Sequence, residues 1–491
     1  MKNIRTLCLT TLLAVATIVS CQKLEEMNNN PNQITLGETA PSSLLQNLLY
    51  DGNWTLQYRS WRINGDLMQY AMQSDGLEKI SCFVLKASDS EMLWRNLSGS
   101  CMNAVHMAQL AVAQDDPNSQ AIAITLKAFY VSAMTDIFGD MPYSEAFRIV
   151  GDNITHPKYD EQKDIYASLC DELKTADGLY DTSVTYDGAS YDLLYNGDLK
   201  KWRKFTNALR LRLLLRQSRQ VDVSAEMQEM VSDGVLFENN ADGAILRFTG
   251  VVPFFNGFGP SGSLTAPAAS QNKRMCSRLI GLLDDSGDPR LSKYADPVTV
   301  SGQQIYAGML SGQEDDYINA NKSTTSNYAR TLSSDTQPST FMSYAEQQFI
   351  LAEAAARGYI AGDAETYYKQ AVRASVTEWC GDAAASAADL TLAHPRVQYD
   401  GTIERIIEQK WVSLFMVGFE AWCDYRRTGY PEMPVKALAA NDGILPTRLR
   451  YPSDEEFRNR DNYFEAVNGW LGGTNNMTTN VWWADHTNKR K

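Results

Sequence analysis

Histidine is scarce in this chain, and its four copies, His106, His156, His394 and His486, lie far apart. No His-x-x-x-His or Cys/His cluster offers a metal site, and no phosphate-binding glycine loop or Gly-x-Ser-x-Gly elbow is present. No cofactor is implied. Carboxylates are abundant, and a glycosidase pair is assembled in space rather than in sequence, so local order does not exclude one. Cysteines number eight, with no Cys-x-x-Cys pair. After Cys8 and Cys21 the remaining six, Cys82, Cys101, Cys170, Cys276, Cys380 and Cys423, are too dispersed for a disulfide framework and read as buried small hydrophobes. Positive charge is in deficit: 45 Lys and Arg stand against 59 Asp and Glu, for a net charge of −14. Nucleic acid is excluded as a partner on that ground, because neutralising a phosphate backbone requires a basic surface. Long apolar runs are lacking beyond the N-terminus. The segment Leu209 to Leu215 is interrupted by Arg210 and Arg212 and followed by Arg216, so no later stretch reads as the roughly 20 apolar residues that span a bilayer.

The N-terminus does carry an apolar run. Lys2 and Arg5 precede Leu7 to Val19, and the run closes on Ile18-Val19-Ser20-Cys21. A charged start, a short apolar stretch and small residues at the cut define a secretory signal, here with the cysteine of a lipoprotein processing site. The expectation is a signal peptide over 1–20, removed on processing, and a polar tether over 21–40 that is lipidated at Cys21. Removing Lys2 and Arg5 takes the charge from −14 to −16. Acyl chains contribute about 0.8 kcal/mol per buried methylene, so several of them anchor a protein durably. A cleaved, soluble exported protein is the alternative.

Beyond the tether, with 44% hydrophobic and 21% charged residues, the chain reads as one large domain over 41–491. Its dominant period is helical. Asp116-Pro117 is a cap followed by a first-turn proline, with Ile122, Leu126, Phe129 and Ala133 at helical spacing and a stop at Gly139. Asp198 caps a second helix through Trp202, Phe205, Leu209 and Leu213. The charges Lys200, Lys201, Arg203, Lys204, Arg210, Arg212 and Arg216 read as its solvated face. Between Tyr344 and Trp379, two runs rich in small residues flank Gly362-Asp363, in the manner of a tetratricopeptide helix pair. Further helices are expected at Ile165–Leu173 and Ile403–Phe415. The architecture predicted is mainly α, with tetratricopeptide-like helix pairs forming a scaffold.

From about 222 to 340 glycine, serine, proline and asparagine become frequent, and short β-prone pieces appear at Ala244–Phe248 and Tyr294–Val300. This loop-rich insert is the expected ligand-facing region, since binding residues concentrate on such loops. Sugar recognition needs flat aromatic faces flanked by polar groups. Phe254, Phe255, Asn256 and Phe258, with Asn272 and Arg274 close behind, form the first candidate. An earlier loop with Met72, Asp75 and Phe83 forms the second. At the C-terminus the adjacent Trp482 and Trp483 read as a core staple.

Taken in order, several strings resemble one known family. They are Thr135-Asp136-Ile137-Phe138-Gly139-Asp140-Met141-Pro142-Tyr143, Gly197-Asp198-Leu199-Lys200-Lys201-Trp202, Asp288-Pro289-Arg290-Leu291, Gln409-Lys410-Trp411, Gly418-Phe419-Glu420-Ala421-Trp422 and Arg426-Arg427-Thr428-Gly429-Tyr430-Pro431. The chain resembles the SusD/RagB family of nutrient-binding outer-membrane lipoproteins, in its SusD-like subgroup. Gln22-Lys23-Leu24-Glu25-Glu26 after Cys21 resembles the export signal of Bacteroidetes surface lipoproteins. The resemblance implies a cell-surface, lipid-anchored, non-enzymatic protein that binds oligosaccharide, or in some members peptide. It implies a partner too, a SusC-type TonB-dependent transporter on which the protein sits as a lid. A lipid-anchored hydrolase and a helical-repeat scaffold for envelope assembly are the competing readings.

Overall fold

The computed structural model describes residues 39–74, 79–148, 152–262, 273–434 and 438–484. The signal segment, Cys21 and most of the tether lie outside them. Ten helices build the scaffold used below: α1 (Asn53–Arg59), α2 (Ala87–Ala113), α3 (Pro117–Phe138), α4 (Gln162–Leu179), α5 (Leu199–Gln217), α6 (Ser277–Asp285), α7 (Tyr344–Ala356), α8 (Ala364–Cys380), α9 (Ile403–Ser413) and α10 (Glu420–Thr428). Helix α2 packs on α3, α3 on α4, α4 on α5 and α5 on α7, while α7 pairs with α8 and α9. Helix pairs stacked side by side, each covering the apolar face of the last, are the mainly α architecture expected from the sequence.

Local chemistry sets the helix ends. Asp116 caps α3 by accepting from the Ser119 amide at 2.9 Å, Pro117 occupies the first turn, and Gly139 closes it at φ 84°. A Cβ at Gly139 would lie 2.3 Å from the Trp470 ring, so the close approach there needs glycine as much as the backbone does. Asp198 caps α5 through the Lys200 and Lys201 amides, and Asp363 caps α8 through Thr366. One reading needs correction. Helix α3 is long and apolar enough to cross a membrane by composition, although the sequence suggested no such segment; 83% of its apolar window is buried inside the fold, so it is the core helix.

The segment 222–340 carries short elements. Among the described residues the strands form two-stranded antiparallel ladders: β1 (Ala71–Gln73) with β5 (Lys273–Met275), β2 (Met141–Pro142) with β3 (Tyr159–Asp160), β4 (Ala244–Leu246) with β8 (Ser339–Met342), and β6 (Val298–Val300) with β7 (Gln303–Ile305). The β-prone reading of Tyr294–Val300 holds only in its second half. Leu291–Tyr294 is helical, and Tyr294 is held there by stacking on Phe415 at 4.2 Å.

The expectation that α5 presents a solvated basic face is overturned for its C-terminal half. Arg210, Arg212 and Arg216 are buried. Arg212 forks onto Glu346 of α7 with two contacts of 2.7 Å, and Arg216 reaches Asp136 of α3 and Glu420 of α10. The network continues through Lys410 of α9 to Asp424 at 2.8 Å, and through Arg427 to Asp424 at 2.8 Å and Glu353 at 2.6 Å. Arg426 lies over the Trp422 and Trp483 rings, at 3.7 and 4.7 Å, and donates to the carbonyls of Asp136 and Thr447. Buried charge persists only where every member is paired, and here the pairing ties α3, α5, α7, α9 and α10 together.

The same network has an acid limit. Burial alone would raise Asp424, but Lys410 and Arg427 outweigh it and hold the carboxyl at about 2. A folded-state value below the unfolded one of roughly 3.9 stabilises the protein fully above that pH, and the gain is lost as pH falls toward 2. Asp424→Asn is therefore expected to flatten the acid limb of the stability profile by about 2 kcal/mol in denaturant titrations between pH 6 and about pH 2. An unchanged limb would mean that Asp424 is not held ionised by its partners.

All six described cysteines are free thiols, and all but Cys380 are buried. Burial pushes Cys101, Cys170 and Cys423 up to about 12, which makes them inert packing groups.

Candidate functional site

Tyr50, Trp54 and Tyr58 follow one another at intervals of four along the continuous helical run, residues 41–67, that contains α1. That spacing places them in one stripe on a single helical face. All three are half-buried. Trp54 and Tyr58 stack with centroids 6.2 Å apart and planes inclined by 29°.

The loop 248–262 lies against this stripe. Phe258 is fully buried beneath it, edge-on to Trp54 at 4.8 Å and to Trp61 at 5.5 Å. Tyr50 packs edge-on to Phe248 at 5.7 Å and donates its hydroxyl to the Phe255 carbonyl at 3.0 Å. Gly257 permits the contact, since a Cβ there would meet the Trp54 ring at 2.5 Å. Asn256 ties the turn together: its amide donates to Gln57 Oε1 at 3.0 Å and to the Gln337 carbonyl at 2.7 Å, while its Oδ1 accepts from the Phe258 amide at 2.8 Å. Outside this staple, Phe254 and Phe255 stay half-exposed, beside the exposed Val251 and Val252.

The site residues read from sequence thus divide. Phe254 and Phe255 are partly exposed, and the Phe255 carbonyl accepts from Tyr50 of the stripe. Asn256 and Phe258 sit in the same loop but spend their side chains on holding it. Arg274 is buried in β5, paired in register with Met72 of β1, and donates to the carbonyls of Lys322 and Lys273, each at 2.8 Å. Met72 is buried with Cys276, Met309 and Ile318. Phe83 is buried at φ 66°, closing the short turn Ile80–Cys82. Asp75 and Asn272 lie outside the described residues. Sequence reasoning passed over Trp54 and Tyr58; the signal was there in the four-residue aromatic spacing, in a helix too irregular to announce itself.

A wider groove of about 960 Å³ runs between the 193–196 turn, the 239–247 segment and α8. Several of its polar groups are bonded within the fold. Lys201 donates to the Ala241 carbonyl, Arg247 pairs with Glu378 and Asn240 bonds Ala374 and Thr377. The aromatic stripe differs, because large half-exposed rings keep apolar area in contact with solvent, and flat rings suit the C–H faces of a pyranose. Among the described residues no group of three His, Cys, Asp or Glu side chains is placed to hold a metal ion.

The scaffold of stacked helix pairs thus carries an aromatic stripe on one helix, with the 248–262 loop packed against it. The family model described as starch-binding, associating with the outer membrane, matches residues 31–452, and the chain belongs to that SusD-like family. Among solved structures, a chitin-binding protein is 31% identical with a TM-score of 0.78, over 91% of this chain and 100% of its own. A SusD homologue from Bacteroides fragilis is 26% identical with a TM-score of 0.79, over 91% and 100%. A SusD homologue from Bacteroides uniformis is 26% identical with a TM-score of 0.75, over 91% and 99%. No curated protein matches.

Proposed function

We propose that this chain is a lipid-anchored protein of the cell surface that captures oligosaccharide and passes it to a SusC-type TonB-dependent transporter, over which it acts as a lid. The observation that carries the reading is the half-exposed stripe of Tyr50, Trp54 and Tyr58 beside Phe254 and Phe255, in a chain of the SusD-like family. The 31% identity to a chitin-binding protein makes β-linked N-acetylglucosamine oligomers the first ligands to try. Cys21 supplies the anchor and the polar residues after it the tether. Catalysis has no part in the reading: binding and release are biased by closure over the transporter.

The test is a pull-down of the intact lipoprotein in mild detergent through a C-terminal tag, followed by calorimetry of the purified protein with chitin oligosaccharides. A large β-barrel transporter recovered at about one to one, together with saturable binding and no cleavage of the oligosaccharide, is the expected result. Assembly factors in place of a barrel would sink the lid role, and release of shorter products would sink the binding-only reading.

A further inference from the structure

A smaller cavity than the groove, of about 210 Å³, lies between the β4–β8 ladder and the 413–417 segment that joins α9 to α10. Its walls are largely apolar: Ile245 and Pro338 on the ladder side, Trp379 of α8, and Phe415 and Met416 of the joining segment. Trp379 is held edge-on to Tyr294 at 4.8 Å and to Phe415 at 6.0 Å. Met416 has φ 61°, a conformation that a side-chain-bearing residue adopts at some cost and keeps only where its surroundings enforce it.

Three polar atoms on the lining residues are not used by the fold. Among the described residues Trp379 Nε1, Thr340 Oγ1 and Glu378 Oε2 have no hydrogen-bond partner, and none of them is shut off from solvent, since all three residues are only half-buried. The other oxygen of Glu378 accepts from Arg247 at 2.8 Å, so the two charges at this wall cancel.

That combination selects a ligand chemistry. A charged group would enter an apolar space beside an ion pair that is already balanced, with no partner to offset its desolvation. A bare hydrocarbon would strip water from the indole N–H and the carboxylate oxygen and replace it with nothing. A neutral secondary amide with a short alkyl end meets both conditions. Its carbonyl accepts from Trp379 Nε1, its N–H donates to Glu378 Oε2 or Thr340 Oγ1, and its methyl group takes the apolar space beside Ile245 and Met416. The volume is below the roughly 300–1,000 Å³ of sites that enclose drug-sized ligands, so it takes one such group or a single ring, and no chain. Ile245, Arg247 and Glu378 also line the wider groove, which gives a chain lying there access to the cavity at a shared wall.

We propose that the cavity bounded by Trp379, Met416, Thr340 and Glu378 binds the acetamido group of an N-acetylated sugar and selects that sugar over its hydroxyl and free-amino counterparts. The proposal rests on the oligosaccharide-capture reading and deepens it by naming the substituent recognised. It separates two tasks: the aromatic stripe takes ring faces, and the cavity reads the substituent.

Saturation-transfer NMR titrations of the full chain with N-acetylglucosamine, glucose, glucosamine and N-acetylglycinamide give both the affinities and the protons that touch the protein. Thr340→Val and Trp379→Phe, singly and together, remove one hydroxyl and one N–H. Valine matches threonine in shape and suits a strand, and phenylalanine keeps a ring against Tyr294 and Phe415, so folding is retained, with thermal melts as the check.

The expected result is N-acetylglucosamine bound about tenfold or more tighter than the other three probes, with the largest transfer at its acetyl methyl protons. Each single variant lowers that affinity about three- to tenfold, the scale of one lost hydrogen bond. In the double variant the preference over glucose falls toward parity, whereas Trp54→Ala keeps the preference. No binding of N-acetylglucosamine, equal binding of glucose or N-acetylglycinamide, weak transfer at the methyl, or a preference unchanged in the double variant overturns the proposal. In each of those cases, chitin oligosaccharides that still bind the full chain and lose affinity on Trp54→Ala leave the oligosaccharide reading standing. Failure of the full chain to bind chitin oligosaccharides as well takes down both.

Discussion

Asp136→Ala is expected to lower the unfolding free energy by about 3–5 kcal/mol, the range for removing one partner of a buried ion pair. Asp136 sits at the end of α3, 2% exposed, and three groups converge on it. Its Oδ1 accepts from the Tyr166 hydroxyl and from Trp483 Nε1 at 2.8 Å, and its Oδ2 pairs with Arg216. Deleting the carboxylate leaves an indole N–H and a phenol without an acceptor, and a buried guanidinium with Glu420 as its remaining ion-pair partner. Asp136→Asn separates the two contributions: an amide oxygen still accepts from Trp483, while the charge that balances Arg216 is gone. Urea unfolding followed by tryptophan fluorescence should rank the asparagine variant between wild type and alanine. A loss below about 1 kcal/mol for alanine, the level of an exposed pair, would show that water reaches this cluster and that the helices are not tied through it.

Trp54→Ala is expected to weaken oligosaccharide binding by about thirtyfold or more, the scale of a central aromatic anchor. The ring offers one half-buried face and stacks with Tyr58, so its removal takes away the widest flat surface of the stripe. Its other edge rests on Phe258 and Gly257, and some loss of stability accompanies the change. Trp54→Phe keeps a flat face of reduced area and should retain most of the affinity, whereas a change that merely loosened the loop would affect both variants alike. Calorimetry on the two variants, with melts to check folding, decides. Affinity that survives Trp54→Ala would move the site away from the stripe.

The scaffold was legible because its punctuation is local. Asp116-Pro117 and Asp198 announce helix starts by side-chain chemistry that needs no tertiary partner, and the small residues after Tyr344 announce a close helix pair. The charge on α5 was misread for the opposite reason. Whether Arg212 and Arg216 face water depends on Glu346, Asp136 and Glu420, which come from three other helices far away in sequence. Lys410, Arg426 and Arg427 stand near large aromatics in the chain itself, and in the fold they tie helices together. In the loop, composition does not say which phenylalanine turns inward; Phe258 does, because Trp54 and Trp61 from a distant helix receive it.

The contact between Trp483 and Asp136 spans 347 residues. Its effect is on timing. A chain emerging N-terminus first exposes α3 long before the last group on Asp136 arrives, and the cluster stays open until Trp483 is available. At ordinary synthesis rates of about 5–20 residues per second, that delay is of the order of tens of seconds. During that interval the Asp136 cluster lacks the indole that closes it, so chain order alone makes this part of the core one of the last to become rigid.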